Sequence, residues 1–100
     1  MAKMSKTFVV LQIAGPHRDL TKGTREQPLW DEHALFIDGI TKGFILLGGP
    51  FEDDGGAMLI VRAENEREVR EKLRPDPWYT HDILQLRSIR RWDIFIDERA

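Results

Sequence analysis

Chemistry in this chain of 100 residues has to come from a short set of side chains. It holds three histidines and no cysteine, which excludes thiolate nucleophiles, disulfides and cysteine-held metal. His17, His33 and His81 show neither HxH nor HxxxH spacing, so no metal site is expected, and no motif calls for a cofactor. His33 stands apart. In "PLWDEHALFIDG", residues 28–39, Leu29, Trp30, Phe36, Ile37 and Ile40 fall on one stripe at about 100° per residue. His33 lies in the middle of that stripe. An imidazole on the packing face of a helix either fills space against a backbone carbonyl or serves as a general acid–base group. The second role needs a carboxylate to orient the ring and offset the cost of burying its charged form.

Asp31, Glu32 and Asp38 project from other sides of the same helix. Asp76 is better placed, in "RPDPWYT", where two prolines force an abrupt turn. It also suits the N-cap of a short helical turn through "PWYTHD". Both roles are compatible, because one carboxylate oxygen can cap while the other accepts an imidazole N–H. A His33–Asp76 pair without a serine or cysteine nucleophile points to proton transfer: isomerisation, elimination, or hydrolysis by an activated water. The substrate expected is a small polar or ring-shaped metabolite. Gly48 and Gly49, in "LGGPF", punctuate a strand end or offer backbone N–H groups to a developing anion. Arg18 and Arg25 either clamp a carboxylate or phenolate or are ordinary loop charges. His81, beside Asp82, reads as a solvated turn residue. Trp30, Trp78 and Trp92 serve core packing or line a pocket. The alternative to an enzyme is a non-catalytic module that binds a ligand or partner, with the polar pair merely ordering a buried site.

The elements that must position these groups are legible in outline. "KTFVVLQIA", residues 6–14, reads as a strand. "GPHRDLTKGTREQ" follows, too long for a tight turn and of the length at which loops carry function. Pro28 suits the first turn of a helix that Gly43 ends in a left-handed cap. "FILLGGPF" (44–51) and "AMLIVRA" (57–63) read as a hairpin around "EDDGG". "NEREVREKL" opens with Asn65 as N-cap and Glu68 completing a capping box, with Val69 and Leu73 on its apolar stripe. "ILQLRSIRRWDIFID" is a final strand, with Trp92, Ile94 and Ile96 alternating on one face and a bulge expected at "SIRR". The order is β-α-β-β-α-β in a single domain spanning residues 1–100, a ferredoxin-like α+β sandwich: a four-stranded antiparallel sheet with two helices on one face.

Both faces of that sheet are apolar. Val9, Leu11 and Ile13 point opposite to Phe8 and Val10, and Met58 and Ile60 opposite to Leu59 and Val61. Two helices cover one face only. A homodimer through the helix-free face would cover the other, unless the loop at 15–27 folds over it.

Bulk composition sets the class. Hydrophobic content of 41% supports a packed core, and a net charge of −2 gives no footprint for nucleic acid or an anionic membrane. No run approaches the roughly 20 apolar residues of a membrane span. The apolar run after "MAKMSK" lacks a convincing cleavage site. A cytoplasmic location is expected.

Taken in order, "REQPLWDEHALF", "GFILLGGP", "DPW" and "SIRRWDI" resemble the YCII-related (YciI-like) family, from Phe8 to about Ile96. The resemblance implies a ferredoxin-like fold, association as dimers, and kinship with the dimeric α+β barrel group that includes muconolactone isomerase. It also implies an active site centred on a histidine and an aspartate, which match His33 and Asp76, with the family's Gly-Pro pair on Gly49 and Pro50. The polar segment "HRDLTKGTREQ" is longer than in shorter relatives and is expected to border the pocket.

Overall fold

The computed structural model describes residues 5–53 and 55–99. Strand β1 (Lys6–Ala14) leads through a loop with a 3-10 turn (Thr24–Glu26) into helix α1 (Trp30–Thr41). Strands β2 (Ile45–Pro50) and β3 (Ala57–Ala63), helix α2 (Glu66–Leu73), single-turn helix α3 (Pro77–Thr80) and strand β4 (Leu84–Arg91) complete the order. The sheet runs β2-β3-β1-β4 with every neighbouring pair antiparallel. The fold is ferredoxin-like.

Register decides which side chains face the helices. Phe8 pairs with Val61, and Val10 with Leu59 on one side and Ile89 on the other. Alternation then sends Phe8, Val10 and Gln12 to the helix side. Phe8, Val10, Leu59 and Val61 join Phe44, Val69 and Leu73 in the buried core. Asn65 caps α2 by accepting the Glu68 N–H at 2.9 Å, and Glu68 Oε1 reaches back to the Glu64 N–H. Gly43 follows α1 at φ 76°, the left-handed conformation that lets the chain turn into β2.

Four expectations are corrected. Helix α1 starts at Trp30, not in a turn containing Pro28; Leu29 holds its N-terminus at φ 62°, and the Pro28 carbonyl instead accepts the Trp78 indole N–H at 2.8 Å. Strand β4 stops at Arg91, so Trp92, Ile94 and Ile96 do not extend it. The reason is that β1 starts at Lys6: once the Trp92 N–H has bonded to the Thr7 carbonyl, the neighbouring strand runs out. The bulge falls at Arg87, immediately before "SIRR", because Leu11 pairs with Ser88 while Gln12 pairs with Leu86. Finally, the apolar stripe of α1 does not seal against the sheet. None of its side chains is fully buried, because a cavity lies beneath it.

Candidate functional site

Asp76 is positioned by local rules. Its Oδ1 accepts the Trp78 N–H at 2.9 Å, capping α3, with Pro77 in the first helical position. A carboxylate that is fully buried must be satisfied by donors on every side. Helix α1 supplies the next one. His33 Nδ1 lies 2.9 Å from both Oδ1 and Oδ2 of Asp76. A carboxylate only accepts, so Nδ1 carries a proton, and in the neutral ring Nε2 holds the lone pair. Nε2 makes no hydrogen bond to the described residues, and no buried side-chain nitrogen or oxygen among them lacks a partner. Nε2 is therefore open to solvent.

Aromatic rings fix the imidazole plane. Trp78 stacks on His33 with centroids 3.8 Å apart and planes 5° from parallel. Trp30 tilts against both rings, at 5.8 Å from His33 and 5.7 Å from Trp78. The Trp78 bond to Pro28 ties α3 to the entry of α1, so the two elements that carry the pair are clamped together.

His33 opens on a cavity of about 400 Å³ between α1, the β2–β3 hairpin and the 15–27 loop. Trp30, Ile37, Leu59 and Leu84 supply apolar wall, and Gln12, Arg18 and Thr24 supply polar groups. Gly48 and Gly49 both line it. Arg18 lies across Gly55, whose φ is 77°; a Cβ there would collide with Arg18 Nε. Among the described residues, no acidic side chain forms a salt bridge with Arg18. The guanidinium is thus a cation of the cavity wall without a counter-ion among the described residues. Arg25 is not brought to this cavity. It borders an adjoining depression with Glu26, Trp30 and Pro50.

The loop that delivers Arg18 is held by Gln27, which is buried. Its amide N–H groups donate to the carbonyls of Asp19, Lys22 and Gly23, and its oxygen accepts the Asp19 N–H. Hydrogen bonds from the Thr21 hydroxyl and then its N–H, with a smaller contribution from the Lys22 ammonium, hold the Asp19 carboxyl below the usual carboxylate range, against a small opposing effect of desolvation. Through Arg18 and Thr24 the loop borders the cavity on the helix side, while Ile13 and Met58 on the opposite face stay 39% and 38% exposed.

Two residues of the site were not anticipated. Gln12, 4% exposed, donates its amide N–H to the Tyr79 hydroxyl. Burial pushes the Tyr79 hydroxyl up to about 12; the Gln12 bond opposes this and the Asp76 carboxylate adds to it. The sequence signal for Gln12 is a lone amide in the apolar run "FVVLQIA". Of the other histidines, His17 Nδ1 bonds to the His81 carbonyl and His81 Nδ1 to the Pro77 carbonyl, both in exposed surroundings. Among the described residues, no group of three or more potential ligands could hold a metal ion, and no helix is long and apolar enough to cross a membrane.

No protein-family model matches the chain, and no curated protein does. Solved structures do. The chain is similar to 5-chloro-2-hydroxyhydroquinone dehydrochlorinase (TftG) from Burkholderia phenoliruptrix AC1100, in complex with 2,5-dihydroxybenzoquinone. The TM-score is 0.68 at 22% identity, over 87% of this chain and 93% of that one. It is also similar to the structural-genomics protein YJCS, with a TM-score of 0.59 at 12% identity, over 91% of this chain and 99% of that one. At such identities the likeness establishes the fold alone, the ferredoxin-like α+β architecture.

Proposed function

We propose that the chain is a small-molecule enzyme of the YCII-related type, in which His33 transfers protons through Nε2 while Asp76 holds its tautomer. One observation carries this reading: the Nδ1 edge of the ring is locked onto a buried carboxylate while Nε2 is open beside an apolar cavity. In this arrangement Asp76 offsets the desolvation of the imidazolium that forms when Nε2 takes a proton. Arg18 then serves as counter-ion to the substrate anion, and backbone N–H groups near Gly48 and Gly49 stabilise developing negative charge. The walls suit a flat ring, which the Trp30 and Trp78 indoles can contact.

Elimination fits these parts best among isomerase, lyase and hydrolase chemistry. The base takes a proton, the leaving group departs with its bonding electrons, and no covalent intermediate is needed. The dehydrochlorinase of the same fold supports that choice. The direct test is chloride release from 5-chloro-2-hydroxyhydroquinone. Release by the native chain that falls about 10²- to 10⁴-fold in His33→Ala, the usual span for a lost acid–base group, bears the proposal out. No release, together with 2,5-dihydroxybenzoquinone binding that is unchanged in His33→Ala, turns the reading to the non-catalytic binding module.

For the helix-free sheet face we propose a second copy of the chain as cover. Val9 and Leu11 are half-buried and Ile13 and Met58 exposed, which is apolar area that association would remove from water. Arg18 and Thr24, the loop residues that reach the cavity, do so from the helix side of the sheet, which supports the dimer over coverage by the loop.

A further inference from the structure

Gln12 sits on the core-facing side of β1, in line with Phe8 and Val10, where a leucine would pack as well. The bulge that leaves Arg87 unpaired falls at this point of β1, and bulges re-aim side chains beside functional sites. One end of the amide is accounted for, since its N–H donates to the Tyr79 hydroxyl. The other end is not. Gln12 Oε1 has no hydrogen-bond partner among the described residues, yet no side-chain oxygen among them is both sealed and unpartnered. Oε1 is therefore reachable, and the space that Gln12 borders is the cavity that His33 also borders.

We infer that Gln12 is a specificity-determining residue of this site, its Oε1 accepting a hydrogen bond from a hydroxyl or N–H of the ligand, with Tyr79 as the positioning residue that fixes the amide. The inference rests on the reading of the cavity as the substrate site and extends it to a substrate class. Two acceptors, His33 Nε2 and Gln12 Oε1, face one apolar cavity. The ligand that satisfies both carries two donors on a flat frame, as a ring with two hydroxyl groups does. A ligand with a single donor leaves one of the two acceptors dry and unpaired, which is where hydrogen-bonding sites gain their discrimination. If Gln12 served only to satisfy Tyr79, its oxygen would have no reason to face open space, and ligand choice would not depend on it.

The test is the binding of hydroquinone and of 4-methoxyphenol, which has one donor fewer, measured by calorimetry on the native chain and on variants. The native chain is expected to prefer hydroquinone by about tenfold. Gln12→Met, of similar length and without the amide, is expected to bind both phenols alike. Gln12→Met combined with Tyr79→Phe removes both polar partners at once, guards against a variant that fails to fold, and is expected to abolish the preference too. Tyr79→Phe alone frees the amide and narrows the preference to about threefold. Equal binding of the two phenols by the native chain, or a preference that survives Gln12→Met, overturns the role of Gln12 while leaving the cavity a ligand site. Failure of the native chain to bind either phenol overturns both.

Discussion

Trp78 lies flat on His33 at 3.8 Å while its backbone N–H and the His33 ring share the same Asp76 oxygen. One turn of chain, "DPW", thus supplies the carboxylate that orients the imidazole and the indole that fixes its plane. Preorganisation of this kind lets a base act without spending binding energy on alignment.

Replacing either member of the pair has distinct expected outcomes. His33→Ala removes the proton acceptor. Asp76→Asn keeps a cap for the Trp78 N–H but loses the preference for a proton on Nδ1. Turnover is expected to fall about 10²- to 10⁴-fold in both, with KM little changed in Asp76→Asn. Steady-state kinetics on any substrate the chain turns over provides the check.

The Tyr79 hydroxyl gives an alkaline limit to stability. Its value in the fold lies near 12 against 10.0 in the unfolded chain. Between those values the unfolded chain has lost the proton and the fold has kept it, so stability falls as pH rises. A shift of this size corresponds to about 2–3 kcal/mol, lost across pH 10 to 12. Denaturant titrations over that range are expected to show the slope in the native chain and to show it flattened in Tyr79→Phe.

How much of this was legible in the sequence differs by element. The Asn65–Glu68 cap and the Gly43 turn depend on residues close in sequence, and local patterns carried them. The meeting of His33 with Asp76 follows from the order of elements together with the proline-fixed turn. Where β4 stops was not legible, because it depends on where β1 starts. Nor was the later start of α1, where the Pro28 carbonyl accepts the Trp78 indole N–H from 50 residues away. Arg18 and Arg25 look alike in the sequence; the Gln27 hydrogen bonds shape the loop that takes one to the cavity and leaves the other outside it. Gln12 acquires its meaning from Tyr79, 67 residues distant.

Core and cap substitutions weigh the second half of the fold. Leu73 is fully buried, and Leu73→Ala is expected to cost about 2–5 kcal/mol. Asn65→Ala removes a cap at the surface and is expected to cost about 1 kcal/mol. Urea unfolding curves measure both, and an equal effect of the two would contradict the packing described.

The sheet face makes a prediction about assembly. Light scattering at micromolar concentration is expected to give twice the protomer mass. Met58→Lys, which puts a charge on the helix-free face, is expected to give the protomer mass with the fold retained by circular dichroism. A native chain that is monomeric at these concentrations contradicts the proposed dimer.

That Asp76 locks the proton of the neutral His33 ring on Nδ1 and leaves Nε2 free to act is tested most directly by long-range ¹H–¹⁵N correlation of the imidazole, recorded at a pH where the ring is neutral. The account predicts a protonated Nδ1 and an unprotonated Nε2 in the native chain, with that preference lost in Asp76→Asn. A proton found on Nε2, or a ring signal indifferent to the substitution at position 76, would contradict it.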